Sequence, residues 1–169
     1  ILATIQKSSG TPDKARETLK RGIESSKEPV QLQKMLAADY LETKQPAEAS
    51  AIIANILEKN AKDPEGLFLR GRLLLIERKP KEAIPDLKAY VDANPRSPFA
   101  QYFYGLANMM AGDPATARAA LSEAVTIAPK YDEASFMLAV SYLDTGEGKP
   151  ADTQAQKLLS RNPSFPGLS

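Results

Sequence analysis

The stretch SPFAQYFYGLANMMAGDPATARAALSEAVTIAPKY, residues 97–131, decides the fold. Ser97 offers a side-chain oxygen to cap a helix, and Pro98 suits the first helical position, where its missing N–H costs nothing. The pattern predicts a helix from Pro98 to about Ala111, ended by Gly112, the residue that most easily takes the left-handed conformation of a helix C-terminus. Asp113 then caps a second helix that Pro114 opens and that runs to about Ala128, where Pro129 stops it. Connections this short force the two helices to lie antiparallel. No strand pattern competes, because sustained period-two alternation and an Asn-Gly hairpin dipeptide are both missing.

Working outward, the same unit recurs. Pro12, Pro46, Pro80 and Pro114 are each 34 residues apart, and so are Ala15, Ala49, Ala83, Ala117 and Ala151. Leu19, Ile53, Leu87 and Leu121 keep that step, which Ala155 continues with a smaller side chain. Ala3, Ala37, Gly71, Gly105 and Ala139 form a small-residue series, and Pro95, Pro129 and Pro163 form another of proline. Helices approach closely only where side chains are small, so Gly105 and Ala117 mark the predicted contact between the two helices of their unit, with Leu121 filling the space between units. Self-similarity at such a fixed period is the mark of a helical repeat array.

Composition narrows what such an array does. In 169 residues, 43% are hydrophobic, enough to build a core, and 22 basic residues face 21 acidic ones. A formal charge of +1 gives no electrostatic argument for nucleic acid or an anionic membrane. Cysteine and histidine are both absent, which removes disulfides, thiolate metal sites, the commonest metal ligand and the commonest general base at neutral pH. No metal or cofactor is expected. No apolar run approaches the roughly 18 residues that cross a bilayer. Asp and Glu sit mainly at helix starts and on outward faces, where capping and solubility explain them. Gly146-Glu147-Gly148 reads as a hairpin turn without the preceding strand of a phosphate loop, and Ser8, Ser9, Ser25 and Ser26 have no base to activate them. The segment is not expected to be an enzyme.

The pattern resembles the tetratricopeptide repeat family, whose unit of 34 residues has small residues at its eighth and twentieth places and proline at its thirty-second. In that register full repeats occupy 30–63, 64–97, 98–131 and 132–165, with a truncated repeat over 1–29 and a tail at 166–169. Repeat 98–131 matches best, through Tyr104, Gly105, Gly112, Ala117, Leu121, Ala124 and Pro129. The resemblance implies an all-α αα-hairpin solenoid, a right-handed superhelix forming one array. It departs from the family in lacking the first-helix tryptophan, in Ala61 where proline is usual, and in Tyr90 and Leu158 at the small twenty-seventh place. Pro85 is expected to kink its helix slightly, and the last turn, Gly146 to Pro150, to be looser. Ile1–Ser8 covers only the later part of a first helix, so the chain reads as a fragment of a longer protein. Residues 62–71, KDPEGLFLRG, resemble the arrays of bacterial envelope and exopolysaccharide-export lipoproteins, which implies a bacterial periplasmic or envelope location.

The resemblance also implies where a partner binds. The family's first helices line a concave groove, into which the second, fifth, ninth, twelfth and thirteenth places point. Here the expected groove residues are Lys34, Phe68, Arg72, Leu75, Phe99, Tyr102, Leu106, Met109, Phe136 and Val140. The helix 98–111 is apolar apart from Gln101 and Asn108, a composition that expects burial by neighbouring helices or a second copy, or else an open apolar groove. The lysine-asparagine clamp that some members use on a partner's C-terminal carboxylate fits poorly: Lys34 matches, but Ala38 replaces the asparagine, and Phe68 and Tyr102 stand where polar residues are needed. Arg72 is read as paired with Glu65 or Glu42, or solvated, before it is read as a ligand for a partner's carboxylate.

The leading expectation is a scaffold that binds a partner protein or peptide in the groove. The alternatives are a structural spacer or self-association segment, hence a homo-oligomer, and a regulatory array attached to an enzyme domain outside this segment. Neither nucleic acid nor direct membrane insertion is expected.

Overall fold

Prolines set where the helices begin. In the computed structural model, which describes residues 12–166, the helices are α1 (Pro12–Ser25), α2 (Val30–Glu42), α3 (Pro46–Lys59), α4 (Pro64–Ile76), α5 (Pro80–Ala93), α6 (Pro98–Ala111), α7 (Pro114–Ile127), α8 (Asp132–Asp144) and α9 (Gly148–Arg161). Among the described residues there is no strand. The expectations for Ile1–Ser8, for Ala3 and for the last three residues lie outside the described part. Side chains cap the helices where the sequence supplies them: Asp63 accepts from the Gly66 N–H at 2.8 Å, Ser97 from Ala100 at 3.2 Å and Asp113 from Thr116 at 3.1 Å. Each cap satisfies an N–H that the first turn leaves orphaned, for about 1 kcal/mol.

Four turns between helices hold a residue in the left-handed region. Lys44, Arg78, Gly112 and Gly146 all have positive φ, at 58°, 62°, 84° and 77°. In three of these turns the next N–H reaches back into the helix: Gln45 to the Tyr40 carbonyl at 2.8 Å, Asp113 to Asn108 at 2.9 Å and Glu147 to Tyr142 at 2.8 Å. The last turn, expected to be looser, is therefore closed by the same bond as the turns at Lys44 and Gly112. Gly146 supplies the left-handed residue there, and Pro150 falls within the first turn of α9. α5 runs through Pro85 without interruption.

The chain forms two compact units, divided between Glu77 and Arg78. In the first, α2 packs on α1, α3 and α4 around Leu19, Leu36, Tyr40, Ile53, Leu69 and Leu73. Arg16 of α1 donates from Nε to the buried Asp39 carboxylate at 2.5 Å and lies over the Tyr40 ring, 5.6 Å from its centroid. In the second unit α6 packs on α5, α7 and α8, and α8 on α9. Here Arg118 of α7 pairs with Glu147 and lies 5.3 Å from the Tyr142 ring centroid, repeating the device of the first unit.

The periodic residues are the core. Ala49, Ala83, Ala117 and Ala151 are buried, as are Ile53, Leu87 and Leu121. A Cβ added to Gly105 would lie 2.8 Å from Leu121 Cγ and 3.1 Å from the Ala117 carbonyl, so α6 and α7 touch there nearly backbone to backbone. Leu158, where the family has a small residue, is fully buried. Burying each such leucine contributes about 1.5–3 kcal/mol.

Candidate partner-binding face

The groove residues expected in the first unit lie on α2 and α4, and most are engaged within the unit. Lys34 Nζ lies 2.8 Å from Asp63 and 3.1 Å from Glu65. Burial alone would lower its pKa, but these two carboxylates outweigh that and raise it above the ordinary lysine value. Asp63 shows the reverse: burial would raise it, while Lys34 and the Gly66 N–H hold it below the usual carboxylate range. Phe68 is half-buried beneath Arg72, whose guanidinium carbon is 5.8 Å from the ring centroid. Leu75, a groove residue in the family's register, is buried at 7% exposure.

The second unit inverts the usual order. The two polar residues of α6 turn inward: Gln101 is buried and donates to the Pro95 carbonyl at 3.2 Å, and Asn108 is buried and donates to Tyr104 at 2.8 Å. Apolar residues of the same helix turn outward. Phe99 is 56% exposed, and Tyr102, Leu106 and Met109 are half-buried. On α8, Phe136 and Val140 are half-buried and Leu143 is 61% exposed. Six of the ten expected groove residues thus share the second unit, on α6 and α8.

Two aromatic residues that the register did not assign complete this face. Tyr131 occupies the N-cap position of α8, where its side chain makes no cap bond. Its ring instead stacks on Phe99 at 5.1 Å and meets Tyr102 at 5.2 Å, while Tyr102 also meets Phe103 edge-on at 5.1 Å. One period later Phe165 meets Phe136 at 5.5 Å. A sequence signal for both exists: Asp63, Ser97, Tyr131 and Phe165 hold one register position, which changes from polar to aromatic along the chain. Burial, and behind it the Glu133 carboxylate, push the Tyr102 phenol above its ordinary pKa, so it stays neutral at physiological pH. Among the described residues no cluster of three or more His, Cys, Asp or Glu is arranged to hold a metal, and no helix is long and apolar enough to cross a membrane.

Repeated αα-hairpins with an exposed aromatic face define an all-α repeat protein of the solenoid class. Two profiles of the tetratricopeptide repeat match the sequence, one over residues 72–132 and the other over 2–73 and 108–166. The chain belongs to the tetratricopeptide repeat family, whose members are typically non-catalytic protein-interaction scaffolds. Among solved structures, MamA (41-end) from Desulfovibrio magneticus RS-1 is similar at 20% identity and a TM-score of 0.76, over 98% of this chain and 94% of that one. TTC0263, a thermophilic TPR protein of Thermus thermophilus, is similar at 20% identity and 0.81, over 99% and 91%. A chain of the APC/C hetero-tetramer Cut9-Hcn1 is similar at 14% identity and 0.91, over 98% of this chain and 33% of that one. These likenesses show the fold. No curated protein sequence matches significantly.

Proposed function

We propose that the chain is a scaffold that holds an apolar peptide or the apolar side of an amphipathic helix against α6 and α8, on the face formed by Phe99, Tyr102, Leu106, Met109, Phe136 and Val140. One observation carries the reading: α6 buries its two amide side chains, Gln101 and Asn108, and leaves Phe99 exposed on a neighbour's ring. Exposing aromatic surface at the expense of polar surface is unfavourable in an isolated molecule, and contiguous exposed apolar patches mark interaction sites. Packed rings also give a rigid contact area that loses little entropy when a partner binds. Met109 adds a side chain able to adapt to different ligands. The positions in the first unit contribute less, because Lys34 is engaged by two carboxylates and Leu75 is buried.

The setting we infer is an assembly of the bacterial envelope, supported by the likeness of residues 62–71 to envelope arrays. That the same fold serves in mixed assemblies is supported by Cut9-Hcn1, described as a hetero-tetramer. The experiment is light-scattering mass across a wide concentration range, followed by pull-down with wild type and the Tyr102→Ala/Phe136→Ala double variant. A monomer whose partner capture is lost in the folded double variant supports the reading. A dimer that the double variant dissociates means that a second copy covers the face, and equal capture by both proteins means that the partner binds elsewhere.

A further inference from the structure

Glu133 stands where the first unit pairs a carboxylate with a lysine. There Lys34 of α2 reaches two carboxylates at once, Asp63 at 2.8 Å and Glu65 at 3.1 Å. Two repeats later the same three positions hold Tyr102, Tyr131 and Glu133. The lysine and the capping aspartate are both tyrosine here, and their rings meet at 5.2 Å. The second carboxylate alone is kept. Glu133 is exposed, and it makes no ion pair or side-chain hydrogen bond with any described residue. Its neighbour Asp132, in the same first turn of α8, is by contrast held by Arg161 at 3.0 Å and by Asn162 at 3.0 Å.

The helix dipole favours a carboxylate in the first turn, which accounts for an acidic residue at this point. It leaves both oxygens of Glu133 able to accept hydrogen bonds. A cation placed here would also border the ring cluster, where Tyr131 stacks on the exposed Phe99 at 5.1 Å. Glu133 lies close enough to the Tyr102 phenol to help raise its pKa, behind the larger effect of burial. Aromatic ring faces carry negative charge, so the rings and Glu133 attract the same kind of group. At the groove positions of α6 and α8 the charged residues are Glu133 and Asp144, both acidic and both exposed. The face thus offers apolar surface and negative charge, and no cation of its own at those positions.

We infer that the segment docked on α6 and α8 belongs to a partner protein and carries, beside its apolar residues, an arginine that lies against the ring cluster and pairs with Glu133, as Lys34 pairs with Glu65 inside the chain. Arginine suits both contacts, because its planar guanidinium stacks on aromatic rings and bonds a carboxylate through two N–H groups. A segment with a carboxylate at that point would set like charges together. This rests on the reading of the face as the partner-binding face, and adds the charge of what it binds.

The test is an NMR titration of the 169-residue chain with two synthetic, alanine-based helical peptides. Each carries two leucines one turn apart and one further residue beside them, arginine in one peptide and its uncharged isostere citrulline in the other. The expected result is that both shift the ring signals of Phe99, Tyr102 and Phe136, and that the arginine peptide binds about fivefold more tightly. Glu133→Gln, a change at an exposed side chain, keeps the fold and removes most of that difference, and Glu133→Lys reverses it. Equal affinity of the two peptides for wild type, or a difference that Glu133→Gln leaves unchanged, overturns the inference while the face itself stands. If neither peptide moves those ring signals, the reading of the face fails and the inference with it. A dimer in light scattering that Glu133→Lys dissociates also overturns the inference, because the cation then comes from a second copy.

Discussion

Lys34 and Asp63 lie 29 residues apart and join through a 2.8 Å hydrogen bond. Tyr102 and Tyr131 have the same separation and meet ring to ring at 5.2 Å, as do Phe136 and Phe165 at 5.5 Å. Within each unit the repeat thus brings together the fifth position of a hairpin and the residue preceding the next. The chemistry placed there changes from an ion pair in the first unit to aromatic pairs in the second. This substitution joins charged side chains in the first unit and leaves rings in contact at the same register in the second.

The ion pair predicts a pH profile. Asp63 titrates below an ordinary carboxylate, so its contribution to stability is fully present above the unfolded-state pKa and disappears as pH falls through the lower folded value. Lys34 titrates above an ordinary lysine, so its contribution is fully present below the unfolded pKa and disappears as pH rises through the higher folded value. Lys34→Met leaves two carboxylates together and one of them poorly solvated. It should destabilise the first unit by about 1–3 kcal/mol at neutral pH and flatten the acid limb of the wild-type profile. Urea unfolding between acid and alkaline pH reads both effects, and an unchanged midpoint at neutral pH would show that the pair contributes nothing.

The left-handed turn residues predict opposite effects of glycine. Lys44 and Arg78 carry a Cβ at φ of 58° and 62°, where Gly112 and Gly146 carry none. Lys44→Gly should stabilise by about 0.5–1 kcal/mol, because relief of the left-handed strain exceeds the added entropy of the unfolded chain. Gly112→Ala should destabilise by about 1 kcal/mol on the same grounds, although no atom lies near enough to clash with the new methyl group. Denaturant midpoints of the two variants, shifted in opposite directions, are the check.

The fold was legible because its determinants are periodic and local. Pro98, Gly112, Asp113 and the small series through Gly105 each name a helix end or a close contact without long-range information. The face was legible only in part. A register states which positions share a side, and it placed Phe99, Tyr102 and Phe136 on α6 and α8. It could not state that Leu75 would be buried or Lys34 ion-paired, because burial depends on what neighbouring helices bring. Gln101 and Asn108 are the exceptions on an otherwise apolar α6, and the sequence does not say which way they face. They lie inside because each finds a backbone carbonyl there, a choice that amphipathic pattern cannot weigh. Tyr131 and Phe165 carry no such mark, because they stand at inter-repeat turns, where polar capping residues are the rule.

Close packing of α6 on α7 predicts a steep penalty for size at Gly105. An added Cβ would fall 2.8 Å from Leu121 Cγ, and Leu121 is fully buried with little room to yield. Gly105→Ala should cost about 1–3 kcal/mol through overpacking, despite the better helix propensity of alanine, and Gly105→Val more. Gly105→Ala paired with Leu121→Ala should cost less than the sum of the single changes, since the second removes the atoms that the first meets. A double-mutant cycle by urea unfolding measures this coupling, and strict additivity would place the strain elsewhere.

Tyr131 separates stability from binding. A polar residue at this position caps α8 for about 1 kcal/mol, as Asp63 and Ser97 cap their helices, whereas the tyrosine forgoes the cap and gains ring contacts of about 0.5–1.5 kcal/mol each. Tyr131→Asp exchanges one contribution for the other, so its unfolding midpoint should stay near that of wild type. Tyr131→Ala has neither, and the loss of its two ring contacts should destabilise it by about 1–3 kcal/mol. If the rings of Phe99, Tyr102 and Tyr131 form the surface that a partner touches, Tyr131→Asp should also lose partner capture while remaining as stable as wild type. A folded, stable Tyr131→Asp protein that captures its partner normally would show that the ring cluster only braces the turn between hairpins, and the binding face would then have to lie beyond it.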